Sequence, residues 1–294
     1  MAYSLRNLFC AGAFSVIAAI GPASASEASE RLTIHPSETD STITAADEPH
    51  IVVYSKTGSP GPLFVWMAGT NGRPDNGTKP LFAAAVSLGY RVIGVSYIDQ
   101  PGISQVCLGE ALGRDSECSA KVRTKRLMGE NVSDLIPDGP QDAVIHRLTA
   151  LLKYLAKKDP SAGWEVYLDG DAPNWSVITV AGQSQGGGMA AFLAKKFAVD
   201  RVVDFSGGWD HSRPGEMAAW YSAASATQAD RFYGTYNAQE PAAEQIAQSY
   251  AMLGIPSSHQ FRLDKSSKLK PHVAGFADPV YRDVWIKMLS RPSP

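Results

Sequence analysis

The sequence predicts a single α/β domain, a mostly parallel central sheet with helices on both faces. Three observations carry that prediction. Short β-branched runs alternate with helical stretches, and some of those runs are apolar on both faces. One of them leads through a glycine-flanked serine directly into a helix. A chain of 294 residues, 44% hydrophobic and 19% charged, is long enough to bury one large core. That composition excludes wholesale disorder, a collagen-like repeat and a polytopic membrane protein. A net charge of −2 offers no general attraction to nucleic acid or to anionic lipid.

The first segment reads as a leader. Arg6 supplies a basic start, Leu8 to Ile20 is apolar apart from Gly12 and Ser15, and Gly21-Pro22 precedes Ala23-Ser24-Ala25. That is the pattern of a cleaved secretory signal over 1–25, with cleavage after Ala25. About 13 apolar residues are too few to span a bilayer, which needs about 20. No other stretch approaches a membrane span, so the expected product is secreted or periplasmic. Cleavage removes Cys10 and leaves Cys107 and Cys118, for which an oxidising compartment makes a disulfide the natural expectation.

Residues 26–50 are polar and read as a loose lead-in to a domain at 51–294. Strands are expected at 51–54, 63–67 and 90–97, with a helix at 79–88 between the last two. Residues 98–138 show no clear periodicity, hold both cysteines and read as a lid-like, loop-rich insertion. Val144, Leu148, Leu151, Leu152 and Leu155 then fall on one face of a helix. A polar loop at 164–175 follows. Strands at 176–181, 201–206, 231–236 and 259–263 alternate with helices at 189–198 and 241–253. Asp278-Pro279 caps a final helix to about 289.

Gly182-Gln183-Ser184-Gln185-Gly186 carries the chemistry. G-x-S-x-G between a buried strand and a helix is the context of a nucleophile elbow. The glycines keep neighbouring backbone from clashing, and the helix N-terminus supplies amide donors for an oxyanion. The plain alternative, a glycine-rich turn with an incidental serine, does not need that strand-before, helix-after setting. A phosphate loop is excluded by the glycine spacing and by the absence of G-x-x-x-x-G-K-[ST].

A serine nucleophile needs a base, an acid and oxyanion donors. Of the six histidines, His211, His259 and His272 follow Ser184. His211 comes too early and His259 opens a strand. His272, expected in a loop after the last strand, is the favoured base. Glu240 is the favoured acid, being the only carboxylate in the 234–241 stretch. Asp210 is the alternative, and Asp204 and the uncharged Asn237 are weaker ones. The expected oxyanion donors are the backbone N–H groups of Gln185 and Thr70, with Asn71 close behind Thr70.

At these residues the chain resembles an α/β-hydrolase over roughly 50–290. It resembles more closely a group of exported bacterial hydrolases, through Asn174-Trp175, the 181–188 run and Arg201 to Gly207. The Cys107/Cys118 segment fits that group too. The sequence departs from the family around Asn237–Glu240, where the family has an aspartate. The resemblance implies acyl transfer from a small-molecule or acyl ester to water, with no metal and no organic cofactor. A peptidase or acyltransferase on the same triad, or a non-catalytic binding protein of the same fold, are the alternatives it leaves.

Overall fold

The computed structural model describes Met1 and residues 29–291. The expected leader and its cleavage site lie outside the described residues, Met1 apart. Eight strands form the central sheet: β1 (Ser29–Ile34), β2 (His50–Ser55), β3 (Leu63–Met67), β4 (Arg91–Val95), β5 (Ile178–Gln183), β6 (Arg201–Phe205), β7 (Phe232–Asn237) and β8 (Gln260–Leu263). Their order across the sheet is β1-β2-β4-β3-β5-β6-β7-β8. β2 runs antiparallel to both of its neighbours, and every pairing from β4 through β8 is parallel.

Besides a single helical turn at Pro36–Thr39, the helices are α1 (Lys79–Ser87), α2 (Ile103–Val106), α3 (Gly109–Arg114), α4 (Cys118–Met128), α5 (Val144–Lys158), α6 (Gln185–Lys196), α7 (Ala243–Met252), α8 (Pro271–Ala277) and α9 (Arg282–Leu289). Strand pleating sends alternate residues into two cores. Leu63, Val65 and Met67 of β3 join the side chains of α4, α5 and α6. Phe64 and Trp66 point the other way, toward α1, α8 and α9. A strand buried on both faces has no solvated side, which is why β3 reads as an unbroken apolar run and β4 and β5 as mostly apolar ones.

Three regions differ from the expectation. The lead-in is not loose. Ser29–Ile34 is a full edge strand paired along β2. Farther on, the buried Arg147 of α5 donates to the carbonyl oxygens of Ala45 and Ala46 at 2.6 and 3.0 Å. Residues 164–175 contain a small hairpin, Leu168–Asp169 against Ala172–Pro173.

The largest difference is the 98–138 insertion, which is helical rather than loop-like. Cys107 ends α2 and Cys118 begins α4, and the two form a disulfide around α3. The face that α4 buries is largely cationic: Arg123, Lys125 and Arg126 lie inward beside Val122 and Leu127. Arg126 Nε donates to Asp138 Oδ2 at 2.9 Å, and its Nη1 to the Pro101 carbonyl at 3.0 Å. Such buried pairs offset their desolvation only through this geometry.

β6 carries a fully buried carboxyl. Burial pushes Asp204 up to about 7, although the Tyr250 hydroxyl donates to its Oδ1 at 3.2 Å. A carboxyl raised above its unfolded value stabilises the fold below the unfolded pKa, near 4, and loses that contribution as pH rises through its folded pKa.

Two outcomes follow from this packing. Replacing both Cys107 and Cys118 by serine should lower stability in urea by about 2–3 kcal/mol, the chain-entropy value for a loop of this size. Unchanged stability would mean that α2 and α4 are held without the bond. Asp204→Asn should flatten the fall in urea midpoint between about pH 4 and pH 7. Parallel profiles for the two proteins would contradict the assignment.

Candidate active site

Every element of the site leaves the C-terminal edge of a parallel strand, the edge where open α/β sheets bind ligands. Ser184 follows β5 and opens α6. Its backbone lies at φ 55°, ψ −122°, a left-handed conformation that a non-glycine residue adopts only under constraint. The constraint is backbone packing. A Cβ on Gly186 would stand 2.1 Å from the Met67 carbonyl oxygen and 2.6 Å from that of Ala68. One on Gly182 would stand 2.3 Å from the Gly186 carbonyl carbon. Ser184 N–H donates to the Phe205 carbonyl at 2.9 Å, and Gly188 N–H to the Ser184 carbonyl at 3.1 Å.

Glu240, just past β7, is buried and meets His272: Nδ1 lies 2.5 Å from Oε2. Its other oxygen accepts from the Ser206 hydroxyl at 2.6 Å and from the Asn237 N–H at 2.7 Å. A carboxylate accepting in this way places the imidazole proton on Nδ1 and leaves Nε2 as the acceptor. His272 sits in the first turn of α8 rather than in a loop, and its carbonyl accepts from Gln183 Nε2 at 3.0 Å. Trp209 packs edge-on against its ring at 5.7 Å. Ser184 and His272 line one cavity of about 260 Å³.

The other sequence candidates are occupied elsewhere. Asp210 forms a two-point pair with Arg123, at 2.7 and 2.9 Å, and accepts from Trp220 Nε1 at 3.0 Å. Burial alone would lower the Arg123 pKa; Asp210 beside it holds it above the ordinary arginine value. Asn237 Oδ1 accepts from the Gln239 N–H, and Asp204 is tied to Tyr250. His259 stacks on Tyr233 at 4.0 Å. His211 lies in a short hairpin strand and lines the larger cavity described below.

Gln185 is the first residue of α6, so its N–H has no acceptor within the helix. Thr70 lies in the turn after β3, where Gly72 N–H donates to the Gly69 carbonyl at 2.9 Å and approaches Asp99 Oδ2 at 2.8 Å. Thr70 and Ser184 line the smaller cavity and also a second one of about 510 Å³, which Gln185 lines as well. Among the described residues no cluster of three or more His, Cys, Asp or Glu could hold a metal ion. No described helix is long and apolar enough to cross a membrane.

Sequence reasoning missed three supports of this site: Ser206, Arg123 and Asp99. Ser206 had a signal, since it ends an apolar strand and is followed by Gly207-Gly208. Like Ser184 it has a positive φ, 52°.

Gly186→Ala should therefore distort the turn and cost about 3 kcal/mol or more, measured by urea unfolding. Gly113→Ala, where the added carbon meets nothing, should leave stability unchanged or slightly raised. Equal effects would show that the close approach at Gly186 is not a constraint.

No protein-family model matches the chain, and no curated protein matches it. Solved structures similar to it include a dienelactone hydrolase from Anabaena variabilis, at 14% identity over 88% of this chain and 97% of that one, TM-score 0.46. An S-formylglutathione hydrolase from Staphylococcus aureus matches at 12% identity over 90% and 98%, TM-score 0.49. An enterobactin esterase from Shigella flexneri matches at 15% identity over 89% and 59%, TM-score 0.47. The sheet order, the antiparallel second strand and the turn from β5 into α6 establish that this chain has the α/β-hydrolase fold.

Proposed function

We propose that the protein is an exported serine hydrolase that cleaves carboxylic esters. The observation that carries the reading is the 2.5 Å contact between His272 Nδ1 and Glu240 Oε2, beside a serine held at φ 55°. A carboxylate, an imidazole and a strained serine converging at one sheet edge are what acyl transfer needs. The Cys107–Cys118 disulfide supports export, because such bonds persist in oxidising compartments. The leader at 1–25 belongs to the same proposal.

In this mechanism Ser184 Oγ attacks the ester carbonyl carbon as His272 Nε2 takes its proton. The carbonyl oxygen becomes an oxyanion that accepts from the Gln185 and Thr70 N–H groups. Collapse breaks the bond to the alcohol oxygen, which receives the proton from His272 and departs. Water then adds to the acyl-enzyme with His272 again as base, and collapse returns Ser184 and releases the carboxylic acid. Glu240 keeps the imidazole in the productive tautomer and balances its positive charge, and the Ser206 hydroxyl and Asn237 N–H hold Glu240 in place.

The test is covalent labelling of the purified chain by an organophosphonate, with turnover of p-nitrophenyl esters measured in parallel. Labelling should vanish in Ser184→Ala and be lost or greatly slowed in His272→Ala. Glu240→Gln should lower kcat by a factor on the order of 10³–10⁴, far more than Asp210→Asn. An unlabelled wild type would sink the enzyme reading, and the reverse ranking of the two acids would sink the triad.

A further inference from the structure

Two cavities meet at Ser184, and they differ in what lines them. The smaller contains His272; the larger does not. In the mechanism above, His272 hands its proton to the departing alcohol, so the alcohol leaves on the side of the smaller cavity. The acyl group that stays bonded to Ser184 is left with the larger one, whose wall includes Ile103, Leu108, Leu112 and Trp209.

That cavity is not purely apolar. Arg123 and Asp210 also line it, but they satisfy each other. Ser104 and Gln245 are exposed and stand at its rim. Ser119 is different: it is 1% exposed, and among the described residues its hydroxyl has no hydrogen-bond partner. Ser119 lies one turn before Arg123 on the same face of α4, and Arg123 Nη1 donates to the Gln185 carbonyl at 3.3 Å. The face that carries Ser119 is therefore the one turned toward the nucleophile. A buried hydroxyl left unpaired costs free energy that a ligand atom of the right kind recovers.

We propose that the larger cavity receives the acyl part of the substrate and that the Ser119 hydroxyl selects acyl chains bearing an oxygen, as a keto or hydroxyl group. The proposal rests on the ester-hydrolase reading and gives it a substrate class. A site with a polar group awaiting its partner discriminates against the analogue that lacks it.

The test compares p-nitrophenyl hexanoate with its keto analogues, the carbonyl moved through each chain position in turn. For each enzyme the readout is the ratio of kcat/KM for the keto ester to that for hexanoate. Intrinsic ester reactivity then cancels between wild type and Ser119→Ala. For at least one position the ratio should fall at least about fivefold in Ser119→Ala, the loss of one hydrogen bond. Equal ratios at every position would overturn the proposal. If Ser119→Ala does not fold, the wild type decides alone. Divided by the spontaneous hydrolysis rate of each ester, kcat/KM for at least one keto ester must exceed that for hexanoate, and its failure to do so overturns the proposal. No turnover of any ester by a folded wild type would instead count against the ester-hydrolase reading itself.

Discussion

The site depends on one close approach, that of the Gly182–Gly186 backbone to the end of β3. With Met67 in register with Gly182 across the sheet, the turn into α6 lies against the Met67 and Ala68 carbonyls with no room for a side chain at Gly186. Ser184 is thereby forced into a left-handed conformation. The same approach brings the Ala68–Gly72 turn beside the serine. Ser184 and the Ala68–Gly72 turn are thus registered by a single backbone contact, and glycine is the residue that permits it.

Around this contact the polar framework is built in two halves. Glu240 is buried among the Ser206 hydroxyl, the Asn237 N–H and His272, which leaves neither of its oxygens unpartnered. On the opposite side, α2 to α4 are clamped to the elbow through side chains. Gln185 Oε1 accepts from the Ile103 N–H at 2.8 Å, its Nε2 donates to the Asp99 carbonyl at 2.9 Å, and Arg123 reaches the Gln185 carbonyl. The residue whose N–H is assigned to the oxyanion is therefore also the anchor of the insertion. Shape of the larger cavity and geometry at Ser184 cannot vary independently.

Much of this was legible in the sequence, and the exceptions have physical reasons. β3 to β6 announce themselves because burial on both faces demands mostly apolar runs, and α5 because one leucine-rich face meets the core. Position along the chain after Ser184 singles out Glu240 and His272, which the structure brings within 2.5 Å of each other. β1 was missed because an edge strand with one solvated face, Ser-Glu-Arg-Leu-Thr-Ile, resembles a polar tail. α4 was missed because its inward side carries three cations: Arg123 pairs with Asp210, 87 residues on, Arg126 with Asp138, and Lys125 donates to Asn131 and the Ser133 carbonyl. Hydrophobic periodicity cannot register a helix that docks through buried ion pairs. Ser206 belongs to a contact, its hydroxyl to Glu240, that only the folded sheet edge assembles.

In the proposed reaction Ser184, His272 and Glu240 act on an acyl group whose oxygen is held by Gln185 and Thr70. A crystal structure of the phosphonate-treated protein tests it most directly. Phosphorus should be bonded to Ser184 Oγ, with the phosphonyl oxygen within hydrogen-bond distance of the Gln185 and Thr70 N–H groups and the Glu240–His272 contact intact. An adduct on another side chain, or a phosphonyl oxygen turned away from both amides, would contradict it.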